Sequence, residues 1–441
     1  MDDRDLMNVS PAQQPAQKER FHQKEFWIGL AIGLVVTLLL SGTLMAVMLA
    51  TGIFKARSLS ETVSDAITTG QENYLTGGMG SADTGLLDDA TEEKLNYIYN
   101  LFEANSIYDI EEEDLRRGMI DGMLAGTGDK YALYYSEEEL NDTFESLSGT
   151  FYGIGALLFL NDDGYATISS VYADSPAERA GLLSEDIITK VDDEDVLGLT
   201  LDKIVSKIRG PEGTEVKLTV YRGMINDYLD LTCTRGMIKE VTVEHEMEED
   251  RIGYIRITTF EDVTVEQFAD ALEELKDQGM KGLVIDLRSN TGGLLSAVVS
   301  IADEMLPDGL VVYTEDANGK RADFKSYGSD LITVPVVVLT NGLTASASEI
   351  LTGALQDHGV AVSMGTKTYG KGVVQSFVEL KDGSGLKLTT DQYFTPHGRA
   401  IDGEGIAPDI EVEFDADSYY ADDSYDNQKA EAIKYLKEKI K

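Results

Sequence analysis

The chain has 441 residues and a formal net charge of −42 at pH 7. That length exceeds one ordinary domain and suggests two or three, each able to bury a core of its own. The acidic balance argues against nucleic-acid binding, which needs clustered Lys and Arg, and with Cys233 as the only cysteine no intrachain disulfide can form.

Residues 1–25 form a tail ahead of 26–54, a run of 29 residues without a charge. As a helix that run would measure about 43 Å, more than the roughly 30 Å of a hydrocarbon layer, so one transmembrane helix is expected. It is too long for the apolar part of a cleaved signal and lacks a clear small-x-small cleavage site. Lys18, Arg20 and Lys24 precede it while Lys55 and Arg57 follow. This predicts a cytoplasmic N-terminus and a body on the outer side of the membrane. Residues 55–89, rich in Ser, Thr and Gly, read as a flexible linker.

From 90 to 147 helical spacing returns at Leu95, Ile98 and Phe102, then at Leu115, Met119, Ile120 and Met123. Packing or dimerisation is the expected use of these faces. Residues 148–236 change to short strands and tight turns, with Asn161-Asp162-Asp163-Gly164 between two strands. A helix capped by Thr200 carries Leu201, Ile204, Val205 and Ile208 on one face, and 215–221 alternates as a strand. Cys233 falls in the strand-like stretch 228–234 and reads as core filler. The segment Phe151-Tyr152-Gly153-Ile154-Gly155 resembles the carboxylate-binding loop of PDZ domains, and Asp174-Ser175-Pro176-Ala177 their next turn. Glycine-flanked N–H groups there can converge on the free carboxylate of a peptide that lies along a strand edge.

Residues 237–413 read as a larger α/β unit. A strand over 251–260, a helix over 265–278 and a doubly buried strand over 282–287 lead to Arg288-Ser289-Asn290-Thr291-Gly292-Gly293 and an apolar helix reaching about Met305. A glycine turn before a helix can either stabilise an oxyanion or simply turn the chain. The strand 334–339 runs into Thr344-Ala345-Ser346-Ala347-Ser348-Glu349 and a helix burying Ile350, Leu351, Ala354 and Leu355. Ser346 fits a capping box with Glu349, and it equally sits where a nucleophile gains exposure. Lys371 follows 25 positions later (371 − 346), inside Gly370-Lys371-Gly372-Val373-Val374-Gln375. An amine can serve as a base for serine only where burial strips its proton. Moving it from about 10.4 to about 7.5 takes about 4 kcal/mol. Residues 414–441 form an acidic, aromatic tail and a last helix, where Tyr435, Leu436 and Ile440 can pack on the body or on a second subunit.

From about residue 95 to 410 these motifs, in this order, resemble the carboxyl-terminal processing proteases, also called tail-specific proteases. The resemblance rests on 151–158, 252–260, 284–293, 341–350, 370–375 and the run Thr395-Pro396-His397-Gly398-Arg399 through Gly405-Ile406-Ala407-Pro408-Asp409. It implies a mixed α/β, crotonase-like core with an inserted PDZ domain. It also implies a serine endopeptidase that binds substrate C-termini and cleaves through an acyl-enzyme, and the apolar run 26–54 makes it membrane-anchored. By the same resemblance Ser346 is the nucleophile, Lys371 the general base and Gln375 the residue orienting it, with backbone N–H groups of Gly292 and Ala347, or Gly293, as the oxyanion hole. Thr291 stands where many relatives carry proline, a change expected to loosen the turn while leaving both glycines.

Gly153, Ile154 and Gly155 are the expected peptide-binding loop. Arg209, where the PDZ helix ends, is taken as a coupling residue joining peptide occupancy to the core through a charge-assisted hydrogen bond. His397 is the strongest rival base among His22, His245, His358 and His397, and no histidine pair has metal-ligand spacing. No cofactor or metal is expected. Protein substrates are the expected partners, with a homodimer and a regulatory protein also considered. A PDZ scaffold on an inactive core and a crotonase-like non-proteolytic enzyme are the competing readings.

Overall fold

The computed structural model describes residues 87–328, 332–421 and 425–440. The expected transmembrane segment and most of the linker lie outside the described residues. Among those described, no helix is long and apolar enough to cross a membrane.

Two helices come first, α1 (Asp89–Asn105) and α2 (Glu112–Thr127), and neither buries a single residue. The expected apolar spacing is present, yet Ile98, Phe102, Leu115, Met119 and Met123 remain exposed. Strand β1 (Leu133–Tyr135) and α3 (Glu137–Ser148) follow. Ser136 and Glu139 close a capping box on α3, which buries Leu140, Thr143 and Leu147.

A two-stranded ribbon, β2 (Thr150–Gly153) with β9 (Gly236–Lys239), then opens into an inserted domain. That domain is a six-stranded sheet of β3 (Ala156–Leu160), β4 (Ala166–Val171), β5 (Ile187–Val191), β6 (Glu194–Asp195), β7 (Glu215–Arg222) and β8 (Asp227–Thr234). It carries two helices, α4 (Pro176–Ala180) and α5 (Leu201–Ile208). Its core includes Ile168, Ile188, Ile204, Ile208, Val216, Leu218 and Cys233. Burial pushes the Cys233 thiol up to about 11, which suits filler rather than chemistry.

The large unit is built on a sheet ordered β10 (Val243–Glu248), β11 (Ile252–Ile257), β12 (Gly282–Asp286), β15 (Val336–Thr340), β16 (Ala361–Gly365) and β19 (Ile410–Glu411). All its neighbours run parallel except the β10 edge. Helices α6 (Asp262–Asp277), α7 (Leu295–Asp303) and α8 (Ala347–Asp357) cover one face, and with both faces covered β12 and β15 are buried at every residue. On the other face α10 (Asn427–Lys439) sets Ala432 and Leu436 against Ile252, Val284, Val337 and Leu339. Its start is tied down by Arg288, which bonds both Asp286 and Asp426. The last helix therefore packs on the body, and the short α9 (Ala416–Ala421) precedes it.

A second sheet sets β18 (Gly385–Phe394) between β17 (Val373–Glu379), β1 and β13 (Gly309–Asp316), with β14 (Arg321–Ser326) outermost. Strand β1 thereby pairs the N-terminal region with β18, whose other side carries β17, the strand that follows Lys371. The strand expected over 251–260 is shorter. It ends at Ile257, and Phe260 makes an isolated parallel bridge to Gly293.

Candidate active site

Ser346 sits between β15 and α8 with φ 55° and ψ −119°, far from the extended backbone of an ordinary N-cap. Such a conformation is costly for a residue with a Cβ and persists only where its surroundings over-determine it. Here they do. The Ala345 amide donates to the Asn290 carbonyl at 3.0 Å, and the Ser346 amide donates to the Glu349 carboxylate at 2.9 Å. The helix axis then leaves from a serine that is 8 % exposed.

Glu349 is the centre of this arrangement. Its carboxylate is wholly buried and accepts from the amides of Ser346, Gly370 and Lys371 and from the Thr368 hydroxyl, at 2.5 to 2.9 Å. Burial raises its pKa while the four hydrogen bonds work in the opposite direction. One side chain thus ties the serine turn to the lysine loop. The expected capping pair is present, and its acid does far more than cap a helix.

The loop carrying Lys371 is held from its other side as well. Gly403 donates to the Gly370 carbonyl at 2.9 Å, and the Gly372 amide donates to Asp402 at 3.2 Å. A Cβ on Gly372 would come within 2.1 Å of the Asp402 amide, and one on Gly370, at φ 91°, within 2.9 Å of the Gly405 amide. The two glycines are there because neighbouring backbone leaves no room for a side chain. Between them Lys371 is 3 % exposed. Desolvation is the first cause that lowers its pKa, to about 8; the Glu349 charge opposes and the Lys130 charge assists. Its amine lies 4.9 Å from the centre of the Tyr131 ring. Gln375, after a bulge in β17, is 1 % exposed, and its side-chain N–H donates to the Val373 carbonyl at 3.5 Å.

The turn at 290–293 meets the serine directly. A Cβ on Gly292, whose φ is 112°, would lie 2.7 Å from the Ser346 Cβ and 3.1 Å from the Ala347 nitrogen. The Gly292 amide, expected as an oxyanion donor, is given to the Asn290 side chain at 2.8 Å in this arrangement. Gly293 and Ala347 instead line a small hollow with Ser346, walled by Leu295, Ile350 and Tyr393.

His397 is not part of the constellation. Its side chain is 69 % exposed and lies 3.6 Å from Asp357, at the far end of α8 from Ser346, about 16 Å along the helix. His358 caps that same end and contacts the Leu310 carbonyl, while His245 pairs with Glu274. Among the described residues no group of three His, Cys, Asp or Glu side chains could hold a metal ion.

Sequence reasoning passed over Tyr131, Tyr393 and a second buried lysine, Lys387. Lys387 has no exposed surface, its amine has no hydrogen-bond partner among the described residues, and it is pushed down to about 7 by desolvation and then by Lys371. Lys387 and Tyr393 lie on β18, and Tyr131 in the turn ahead of β1, where nothing in the local sequence marks them.

In the inserted domain Gly153, Ile154 and Gly155 line a groove of about 290 Å³ with Leu157 and Val205. A Cβ on Gly155, at φ 77°, would come within 2.5 Å of the Ser175 side chain. Arg209 reaches the N-terminal region rather than the core. It lies 3.9 Å from Glu145 on α3, longer than a hydrogen bond, and 5.1 Å from the Phe151 ring.

Comparison with known proteins gives a consistent picture. The profile of peptidase family S41 matches residues 251–412, and that of a PDZ domain matches 167–222. The chain is 35 % identical over 359 residues to the carboxy-terminal processing protease CtpA of Bacillus subtilis, covering 80 % of this chain and 76 % of that one. It is 37 % identical over 354 residues to a probable CtpA-like serine protease of Staphylococcus haemolyticus, covering 78 % and 70 %. Among solved structures, a photosystem II D1 C-terminal processing protease aligns with a TM-score of 0.43 at 27 % identity, covering 74 % of this chain and 87 % of that one.

Proposed function

The chain belongs to peptidase family S41, the serine-type carboxy-terminal processing peptidases, and from that premise we propose that it is a membrane-anchored endopeptidase working through Ser346, Lys371 and Gln375. The observation that carries this reading is the buried amine of Lys371, lowered to about 8 on a loop that Glu349 ties to the strained serine turn. At neutral to mildly alkaline pH a useful fraction of that amine is unprotonated and can take the serine proton. Ser346 attacks the peptide carbonyl, and the amide of Ala347 with one from the glycine turn, Gly292 or Gly293, stabilises the oxyanion. Lys371 then gives its proton to the departing amine, and water hydrolyses the acyl-enzyme. Gln375, on the strand that leaves the lysine loop, orients the amine.

The PDZ domain receives the free C-terminus of a polypeptide at Gly153, Ile154 and Gly155, and its groove gives room for the last side chains. The apolar run 26–54 anchors the chain in a bacterial cell membrane with the body on the outer side. The uncovered apolar faces of α1 and α2 support a homodimer formed through them. Family membership sets aside the crotonase-like non-proteolytic alternative. The scaffold alternative is tested by incubating an unstructured polypeptide having an apolar C-terminus with the chain and with its Ser346→Ala and Lys371→Ala variants. Cleavage by the parent alone is expected; equal cleavage by all three would remove the assignment.

A further inference from the structure

Tyr131 comes from the turn between α2 and β1, and it is 9 % exposed. Asp129 latches that turn to β18. Its carboxylate accepts from the Thr389 amide at 2.7 Å and the Thr389 hydroxyl at 2.9 Å, and also from the Tyr131 amide at 2.9 Å. Thr389 is the register partner of Gln375, so the latch closes beside the strand that leaves the lysine loop. The Tyr131 ring has two amines over it, that of Lys371 at 4.9 Å from its centre and that of Lys130 at 4.8 Å. Lys130 is exposed and Lys371 buried, so one ring borders both an amine in water and an amine withdrawn from it. The Tyr131 hydroxyl has no hydrogen-bond partner among the described residues, which leaves the ring as the part that meets the amine.

Lys371 also has Glu349 on α8, Lys130 on the turn, Tyr393 and Lys387 on β18, and Asp402 near it. The Glu349 and Lys130 charges act on its amine in opposite directions, and desolvation exceeds either. Its state as a base therefore depends on what keeps water away. Helices α1 and α2 bury no residue, so the hold of the N-terminal region on the core falls to β1, α3 and this turn. We propose that Tyr131 is a positioning residue for the base: its ring, latched to β18 by Asp129, keeps water from the Lys371 amine, and the N-terminal region thereby completes the catalytic centre. The inference rests on Lys371 being the base.

The test is the pH profile for labelling of the full-length protein by a small fluorophosphonate, a reaction that forms a serine–phosphorus bond, expels fluoride and needs no peptide in the PDZ groove. Tyr131→Ala admits water to the amine. Hydration of an ammonium outweighs the attraction of a ring for it, so the acid limb is expected to move up by about one pH unit. Labelling at pH 7 should then fall about tenfold, while the plateau at high pH stays near the parental rate. Tyr131→Phe keeps the ring and should leave the limb where it is. An unmoved limb in Tyr131→Ala, or a limb moved as far in Tyr131→Phe as in Tyr131→Ala, would overturn the proposal. If Tyr131→Ala does not fold, Tyr131→Val fills part of the space; a smaller shift in the same direction is expected, and an unmoved limb again overturns. Lys371→Ala run alongside separates the two readings. Labelling at the parental rate there defeats the base assignment, whereas labelling lost there with an unmoved limb in Tyr131→Ala defeats the role of the ring alone.

Discussion

The serine–lysine centre and the PDZ groove solve opposite problems with similar local parts, a glycine loop beside a short helix. In the centre Ser346, Lys371, Gln375 and Glu349 are all buried, and a carboxylate with four donors fixes two loops against each other. In the groove the loop 153–155 fronts open space, and the neighbouring cation Arg209 is about half exposed, with Glu145 and Phe151 near it. A base needs water excluded to lose its proton, while a peptide needs an edge left vacant. In the centre, folding and chemistry are therefore carried by the same contacts. In the groove they can be separated.

The sharpest way to break that contrast is Glu349→Ala. It leaves three buried amides and the Thr368 hydroxyl without their acceptor, at about 1–3 kcal/mol for each orphan group before relaxation. Thermal stability should fall, and turnover should fall by roughly a thousandfold or more as the serine turn and lysine loop separate. A variant that keeps near-parental turnover would show that the two loops hold their places without it.

A gentler probe of the same centre is pH. In the proposed mechanism Lys371 acts as the neutral amine, and burial lowers its pKa to about 8, so kcat/KM should rise with pH and level off above that value. Two pH units below, activity should be about a hundredfold lower. A limb centred near 10 would mean that the amine is solvated in the working enzyme.

The difference between the two regions also shows in what the sequence revealed. The paired glycines, apolar strands and ordered motifs marked both units, because backbone crowding and burial on both faces leave strong compositional traces. The family resemblance located Ser346 and Lys371, while Glu349 was visible only as a helix-cap partner. Its remaining three bonds come from a loop some twenty residues later, which local spacing does not encode. Tyr131 was illegible for a related reason: it enters from the N-terminal region through the pairing of β1 with β18. Arg209, whose position at the end of α5 suggested a hydrogen bond to the core, stands instead near Glu145 on α3 and over the Phe151 ring of β2, contacts that local spacing does not encode.

In the groove a substitution should alter binding and spare the chemistry. Gly155→Ala forces a Cβ against Ser175 at a positive φ and so distorts the carboxylate loop. KM for a substrate with a free apolar C-terminus should rise about tenfold, while fluorophosphonate labelling of Ser346 stays at the parental rate. An amidated C-terminus should raise KM for the parent by a similar factor and add little in the variant. Labelling that falls along with binding would mean that the two regions are mechanically one.

The smallest expected effect belongs to Arg209→Ala, and it decides whether the regions communicate. The guanidinium stands 3.9 Å from Glu145 and stacks near Phe151, with its side chain 46 % exposed, so the ion pair itself is screened. Stability should hardly change. Helix α3, however, leads back through β1 to the strand beside the lysine loop, and an arginine that leaves Glu145 for an incoming carboxylate would release that path. Cleavage of long substrates should drop about threefold while affinity of the PDZ domain for a C-terminal peptide, read by fluorescence anisotropy, stays within a factor of two. Turnover at the parental rate would leave the groove as a tether and the centre as an independent machine.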